Sequence, residues 1–161
     1  SRELCRHAVQ NLEQTAERMD LAQLARIVEL FRQSEQVYFV GDMRELECFY
    51  SLQLDLMCKG QAVYHCNFDE VKKDELPAMN EKTVVCIFSV SERYYPEERQ
   101  LLLEEARACR AHTVWFTQEG DAGEAEETCY YGTAQSKNMG YYSLLLLEQV
   151  ISAMLYRSDD A

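Results

Sequence analysis

Glu45, Glu92 and His65 are the side chains here whose types could move a proton beside a bound small molecule. Proton transfer next to a carbonyl needs a carboxylate or imidazole tuned toward neutral pH and held near the substrate carbon. None of the three has an evident orienting partner in sequence. Two short segments surround them: Gly41-Asp42-Met43-Arg44-Glu45 and Ser89-Val90-Ser91-Glu92-Arg93-Tyr94. Hydroxyls and backbone N–H groups in such loops can hold an anionic ligand, and glycine lets the backbone approach it closely. The same residues have structural uses. Ser89 and Ser91 can close their own loop, and Arg44 can pair with Glu47 along one helix face. Arg93 reads as a solvated loop charge, and the acidic run after Gln118 as a solvated loop.

Metal chemistry is not expected. The seven cysteines, Cys5, Cys48, Cys58, Cys66, Cys86, Cys109 and Cys129, are odd in number, scattered, and never spaced C-x-x-C. Most fall in apolar segments, as buried free thiols do, which points to a reducing, cytoplasmic setting. His65 and Cys66 are the one close ligand pair, but adjacent strand residues point to opposite faces. His112 is expected at a helix end, where the dipole favours a cation. The pairs Tyr94-Tyr95, Tyr130-Tyr131 and Tyr141-Tyr142 suit packing or an interface. No cofactor is implied.

The elements that must position these residues follow from periodicity. Residues 2–19 carry a thin apolar stripe, Cys5, Val9, Leu12, Ala16 and Met19, which suits a helix lying on a surface. Asp20 caps a second helix over 21–32. Short apolar runs at 36–40, 62–66, 83–88, 113–117 and 128–131 read as strands, and 83–88 as one buried on both faces. Helices are expected over 45–58, over 96–111 with Pro96 at its first position, and over 141–156, with a short polar helix over 69–79 broken near Pro77. This alternation predicts a three-layer α/β/α domain with a five-stranded, mainly parallel, doubly wound sheet behind N-terminal helices. Residues 1–20 read as a linker helix and 21–161 as the domain. In such sheets ligands bind beyond the carboxyl ends of strands where strand order reverses, here after Val40 and after Phe88.

Residues 27–155 resemble the sugar isomerase (SIS) domain of RpiR-type transcriptional regulators. The resemblance rests on three stretches: Val37-Tyr38-Phe39-Val40-Gly41 followed by a helix and Lys59-Gly60-Gln61-Ala62-Val63; residues 84–91 followed by a helix and residues 104–114; and the long apolar final helix. It implies the effector-sensing and dimerising part of a regulator, with a helical preamble like residues 2–19 leading from a helix-turn-helix DNA-binding domain that this chain lacks. It further implies a ligand site for a sugar-phosphate-like small molecule made by Gly41, Arg44, Glu45, Ser89, Ser91 and Tyr94. The loops depart from the family pattern. Arg44 and Glu45 stand where serines are usual, and Glu92 and Tyr94 where the second loop has Gly and Thr.

Charge decides what these departures mean. The formal net charge is −12, so the chain itself should repel nucleic acid and anionic membrane. The longest apolar run, 144–147, is too short to cross a bilayer. At about 5 Å and an effective dielectric near 20, each of Asp42, Glu45 and Glu92 would oppose each phosphate charge by about 3 kcal/mol. Arg44 and Arg93 offset part of this. The expected function is therefore a regulator's sensing and dimerisation domain with a degenerate phosphosugar site and no catalysis. The alternative is a phosphosugar isomerase on the same fold. The assembly expected is a homodimer or higher homo-oligomer, since the final helix carries more apolar surface than one sheet face covers.

Overall fold

The computed structural model describes residues 1–91, 93–121, 123–132 and 140–157. Five strands form one sheet: β1 (Gln36–Gly41), β2 (Ala62–Asn67), β3 (Thr83–Phe88), β4 (His112–Thr117) and β5 (Glu127–Tyr130). Their order is β2-β1-β3-β4-β5, and every pairing is parallel. The chain steps outward from β1 to β2, then returns past β1 to begin β3. Strand order thus reverses between β1 and β3, and the crevice beyond their carboxyl ends is the expected binding position.

Alternation along each strand explains the continuous apolar runs. Val37, Phe39, Val84, Cys86, Phe88, Val114 and Phe116 enter one core, under α2 (Leu21–Gln33), α3 (Met43–Cys48), α4 (Tyr50–Cys58) and α6 (Gly140–Arg157). Tyr38, Val40, Val85, Ile87 and Trp115 enter the other, under α5 (Pro96–Ala108) and the Phe68–Val71 segment. Both faces are covered, so polar alternation has no place in the central strands. The first core contains a phenylalanine cluster: Phe49 lies 4.7 Å from Phe88 and 5.0 Å from Phe116, ring centre to ring centre.

Several expectations are corrected. The helix over 45–58 begins two residues earlier, at Met43, and breaks at Phe49 into α3 and α4. The break seats Phe49 in the core, and the Gln53 side-chain amide donates to the Leu46 carbonyl at 3.1 Å, satisfying a group the break releases. Residues 69–79 form no α-helix; two single 3-10 turns, Phe68–Glu70 and Lys73–Glu75, stand there. Phe68 and Val71 are pulled into the core, leaving no helical face. The helix expected over 96–111 ends at Ala108, and His112 opens β4 instead of ending a helix, with its Nδ1 2.8 Å from Glu126.

The first helix, α1 (Arg2–Arg18), turns the other way from its apolar stripe. It buries Asn11 and Thr15, whereas Leu4, Cys5 and Val9 are exposed. The Thr15 hydroxyl accepts from the Gly132 N–H, and the Ser143 hydroxyl donates to the Asn11 carbonyl. Polar anchoring against the loop after β5 and the start of α6 therefore sets its orientation. Of the cysteines only Cys86 and Cys129 are buried, and all seven are free thiols. The acidic segment is also less solvated than expected. Glu124 pairs with Arg99, Glu126 with His112, and Glu127 with Arg26.

Candidate functional site

The loop leaving β1 is fixed by a reciprocal cap. The Glu45 N–H donates to Asp42 Oδ1 at 2.9 Å, and the Asp42 N–H donates to Glu45 Oε2 at 3.0 Å. Asp-x-x-Glu directly after a strand is the sequence signature of such a capping box, and it accounts for the early start of α3. The cap draws the Glu45 side chain inward, leaving it only 2% exposed. Gly41 makes this possible. A Cβ there would stand 2.9 Å from Glu45 Oε2 and 3.0 Å from the Phe88 Cβ, so a side chain at 41 would displace the carboxylate.

Burial pushes the Glu45 carboxyl up to about 8, with the neighbouring Asp42 charge adding to the rise; the Asp42 N–H and the Tyr131 hydroxyl oppose it. The Tyr131 hydroxyl is buried beside Glu45 and makes no hydrogen bond of standard length among the described residues. From α6, the Tyr141 hydroxyl donates to Asp42 Oδ2 at 3.3 Å. Its own pKa is raised to about 12 by burial first and Asp42 second. The Cys48 thiol donates to the Tyr141 carbonyl and is pushed up to about 11, chiefly by burial.

The loop leaving β3 is closed on itself. The Ser89 hydroxyl donates to the Ser91 carbonyl at 2.6 Å, and the Ser91 hydroxyl accepts from the Arg93 N–H at 3.3 Å. The Gln118 N–H and the Thr117 hydroxyl both donate to the Val90 carbonyl, tying the loop to the end of β4. Tyr95 caps α5 in a left-handed conformation, φ 49°, that a non-glycine residue rarely adopts. Its ring stacks on Phe68 at 4.9 Å. The buried Arg99 donates to the Tyr94 carbonyl and lies 4.8 Å over the Trp115 ring, linking this wall to the second core.

Between the two loops is a cleft of about 190 Å³. Its polar lining is Asp42, Glu45 and Ser89, and its aromatic lining is Phe68, Phe88, Tyr94, Tyr95 and Tyr141. Of the residues expected at the site, Glu45, Ser89 and Tyr94 therefore meet there. Gly41 lies against the Glu45 carboxylate without lining the cleft. Ser91 is buried in its own loop. Arg44 is exposed, forms no ion pair with Glu47 among the described residues, and lies over the Tyr141 ring at 5.5 Å. Glu92 lies outside the described residues. His65 is on the exposed edge strand β2, apart from the cleft. Sequence reasoning left Tyr141, Tyr131 and Phe68 out of the site. Tyr131 and Tyr141 carried a signal as members of tyrosine pairs, read as packing or interface residues; Phe68 carried none. No group of three or more His, Cys, Asp or Glu among the described residues is placed to hold a metal ion.

No protein-family profile and no curated sequence matches the chain. Solved structures do. The Vibrio vulnificus NanR protein complexed with ManNAc-6P superposes with a TM-score of 0.76 at 20% identity, over 96% of this chain and 61% of that one. The sugar isomerase domain of an RpiR transcription factor from Sphaerobacter thermophilus gives 0.67 at 16% identity, over 99% and 97%. The chain has the sugar isomerase fold. A hypothetical protein from Methanococcus jannaschii, whose structure was taken to infer 3-hexulose-6-phosphate isomerase function, shares the SIS fold with a TM-score of 0.74 at 13% identity, over 98% and 92%. Regulators and isomerase-like proteins thus share this SIS architecture, and the chain spans less than two thirds of the NanR protein. No helix among the described residues is long and apolar enough to cross a membrane.

Proposed function

We propose that this SIS domain is the effector-sensing part of a transcription regulator, that it binds a small sugar derivative in the cleft between the β1 and β3 loops, and that it does not catalyse. The observation that carries this is the cleft's position and composition. It sits at the switch point of the sheet, where a ligand bridges two loops and can bias their arrangement. Ser89, the one of the two serines that lines the cleft, spends its hydroxyl proton on the Ser91 carbonyl, and Ser91 is buried within the β3 loop. One oxygen of the Glu45 carboxyl, Oε2, accepts from the Asp42 N–H in a helix cap. Similarity to a regulator that binds ManNAc-6P supports a sugar-like effector. Contact with DNA would come from a separate helix-turn-helix domain, because a charge of −12 opposes phosphate.

The isomerase reading has one observation in its favour. Glu45 is buried at the cleft with its carboxyl raised to about 8, the tuning a general base at neutral pH requires. Incubation with a panel of ketose and aldose phosphates decides between the two. No interconversion above buffer is expected, together with a thermal shift for at least one sugar derivative. Turnover that disappears in Glu45→Gln would establish the enzyme.

A further inference from the structure

We infer that the cleft recognises a protonated amine on a polyhydroxylated ligand, an amino sugar in free form, with Asp42 and Glu45 as its anionic partners and the aromatic rings as its walls. The inference rests on reading the cleft as an effector site.

Charge is the first argument. Among the described residues lining the cleft, Asp42 and Glu45 are the ionisable acids, and no Lys, Arg or His accompanies them. Arg44, the nearest expected phosphate ligand, is exposed, lies over the Tyr141 ring at 5.5 Å and does not line the cleft. Among the described residues, a phosphate would meet two carboxyl groups with no cation in the lining. An ammonium group meets two acceptors and several ring faces, the combination that favours cations through the ring quadrupole.

A buried hydroxyl facing the same carboxyl, without a hydrogen bond of standard length, is the second argument. Tyr131, 1% exposed, faces Glu45 and has no hydrogen-bond partner of standard length. A buried donor left open is costly. The Tyr131 hydroxyl favours the charged form of Glu45, so a cation that ionises Glu45 would strengthen this contact. Without ligand, Glu45 holds its proton to about pH 8. Binding an ammonium group would ionise it and release that proton to solvent, leaving the ion pair in the cleft. The groups facing Glu45 are Asp42 at the N-cap of α3, Cys48 on α3, Tyr131 after β5, and Tyr141 on α6, with Arg44 over the Tyr141 ring and Glu148 of α6 acting on Cys48. Of these, Asp42 adds to the ligand's attraction, and the tyrosine and cysteine protons stay in place below about pH 10 because burial raises all three.

The test is calorimetric titration of the full chain with glucosamine, galactosamine and mannosamine, each beside its parent hexose and its hexose 6-phosphate. Near pH 6 an ordinary amine is protonated, so about one proton should be released per amino sugar bound, read from buffers of different ionisation enthalpy. Amino sugars should bind about tenfold more tightly than the parent hexoses, and their affinity should rise between about pH 6 and pH 8 as Glu45 ionises. Glu45→Gln should lose both the preference and the proton release. Asp42→Asn, which keeps an N-cap side chain, should lose part of the preference with the fold intact by circular dichroism, and so stands in should Glu45→Gln unfold. Equal affinity for amine and parent, or a preference untouched by both variants, overturns the inference. Binding of hexose 6-phosphates without the amino sugars overturns it while the effector reading stands. Binding by no member of the panel removes both.

Discussion

Glu45 shows how one buried acid couples local structure to stability. Its folded-state pKa of about 8 lies above the ordinary carboxylate value of 4.5. The folded chain therefore holds a proton that the unfolded chain has released across that interval. Stability is fully present below the unfolded pKa and falls as pH rises through the folded one, with a slope of up to about 1.4 kcal/mol per pH unit. Glu45→Gln, which keeps the shape and removes the titration, should flatten this decline and leave the variant more stable than the parent at about pH 8. Urea denaturation at stepped pH values measures it. A parent whose stability is level between about pH 5 and pH 8 would show that Glu45 ionises as freely in the fold as outside it. The stored cost is consistent with a site kept ready for an ion, since a natural core position would more cheaply hold a neutral residue.

At the scale of elements, the α3–α4 break shows what holds the β1 loop in place. Phe49 fills the junction between Phe39, Phe88 and Phe116, and a straight helix over 45–58 could not deliver that ring to the sheet while Asp42 caps its start. Phe49→Ala should cost about 3–5 kcal/mol, as for other fully buried aromatic residues, with helix content nearly unchanged in circular dichroism. A loss under about 1 kcal/mol would mean that the capping box alone seats the loop. The difference between readable and unreadable features follows from the same contrast. Strands at 36–40, 83–88 and 113–117 were legible because burial on both faces demands unbroken apolar runs, and their ends came within a residue. The capping box was also written locally, in Asp42 and Glu45. The break at Phe49 was not, since what decides it is the space between residues on β1, β3 and β4. The α1 orientation was misleading for a related reason: Asn11 and Thr15 gain partners at Ser143 and Gly132, more than a hundred residues away. Within the site, Glu45, Ser89 and Tyr94 were placed by loops that the strand pattern reveals. Tyr141 and Tyr131 arrive from elements whose position is set by the finished sheet.

On the scale of the whole molecule, the surface left apolar argues for a second copy. Leu4 and Val9 on α1 are 63% and 52% exposed, and Tyr142 and Leu145 on α6 are 64% and 42% exposed. These two helices pack against each other, so their outward apolar side chains lie on neighbouring elements. Scattered apolar residues need no explanation, but exposed apolar side chains on two helices that pack together are the composition of an interface. The expected assembly is a two-fold dimer, because an isologous contact pairs each such helix with its own counterpart. Charge opposes it. Each chain brings a formal charge of −12, and bringing two together raises their mutual repulsion, which salt screens within a Debye length of about 10 Å at 0.1 M. Dimerisation should therefore strengthen as ionic strength rises, the reverse of an association held by surface salt bridges. Light scattering across a salt series at micromolar concentrations measures the mass directly. Leu4→Glu and Leu145→Glu should each shift the population to monomer without changing the circular dichroism spectrum, and should do so most at low salt. A parent that remains monomeric throughout the series, or a dimer that dissociates as salt is added, would place the functional contact elsewhere than on α1 and α6.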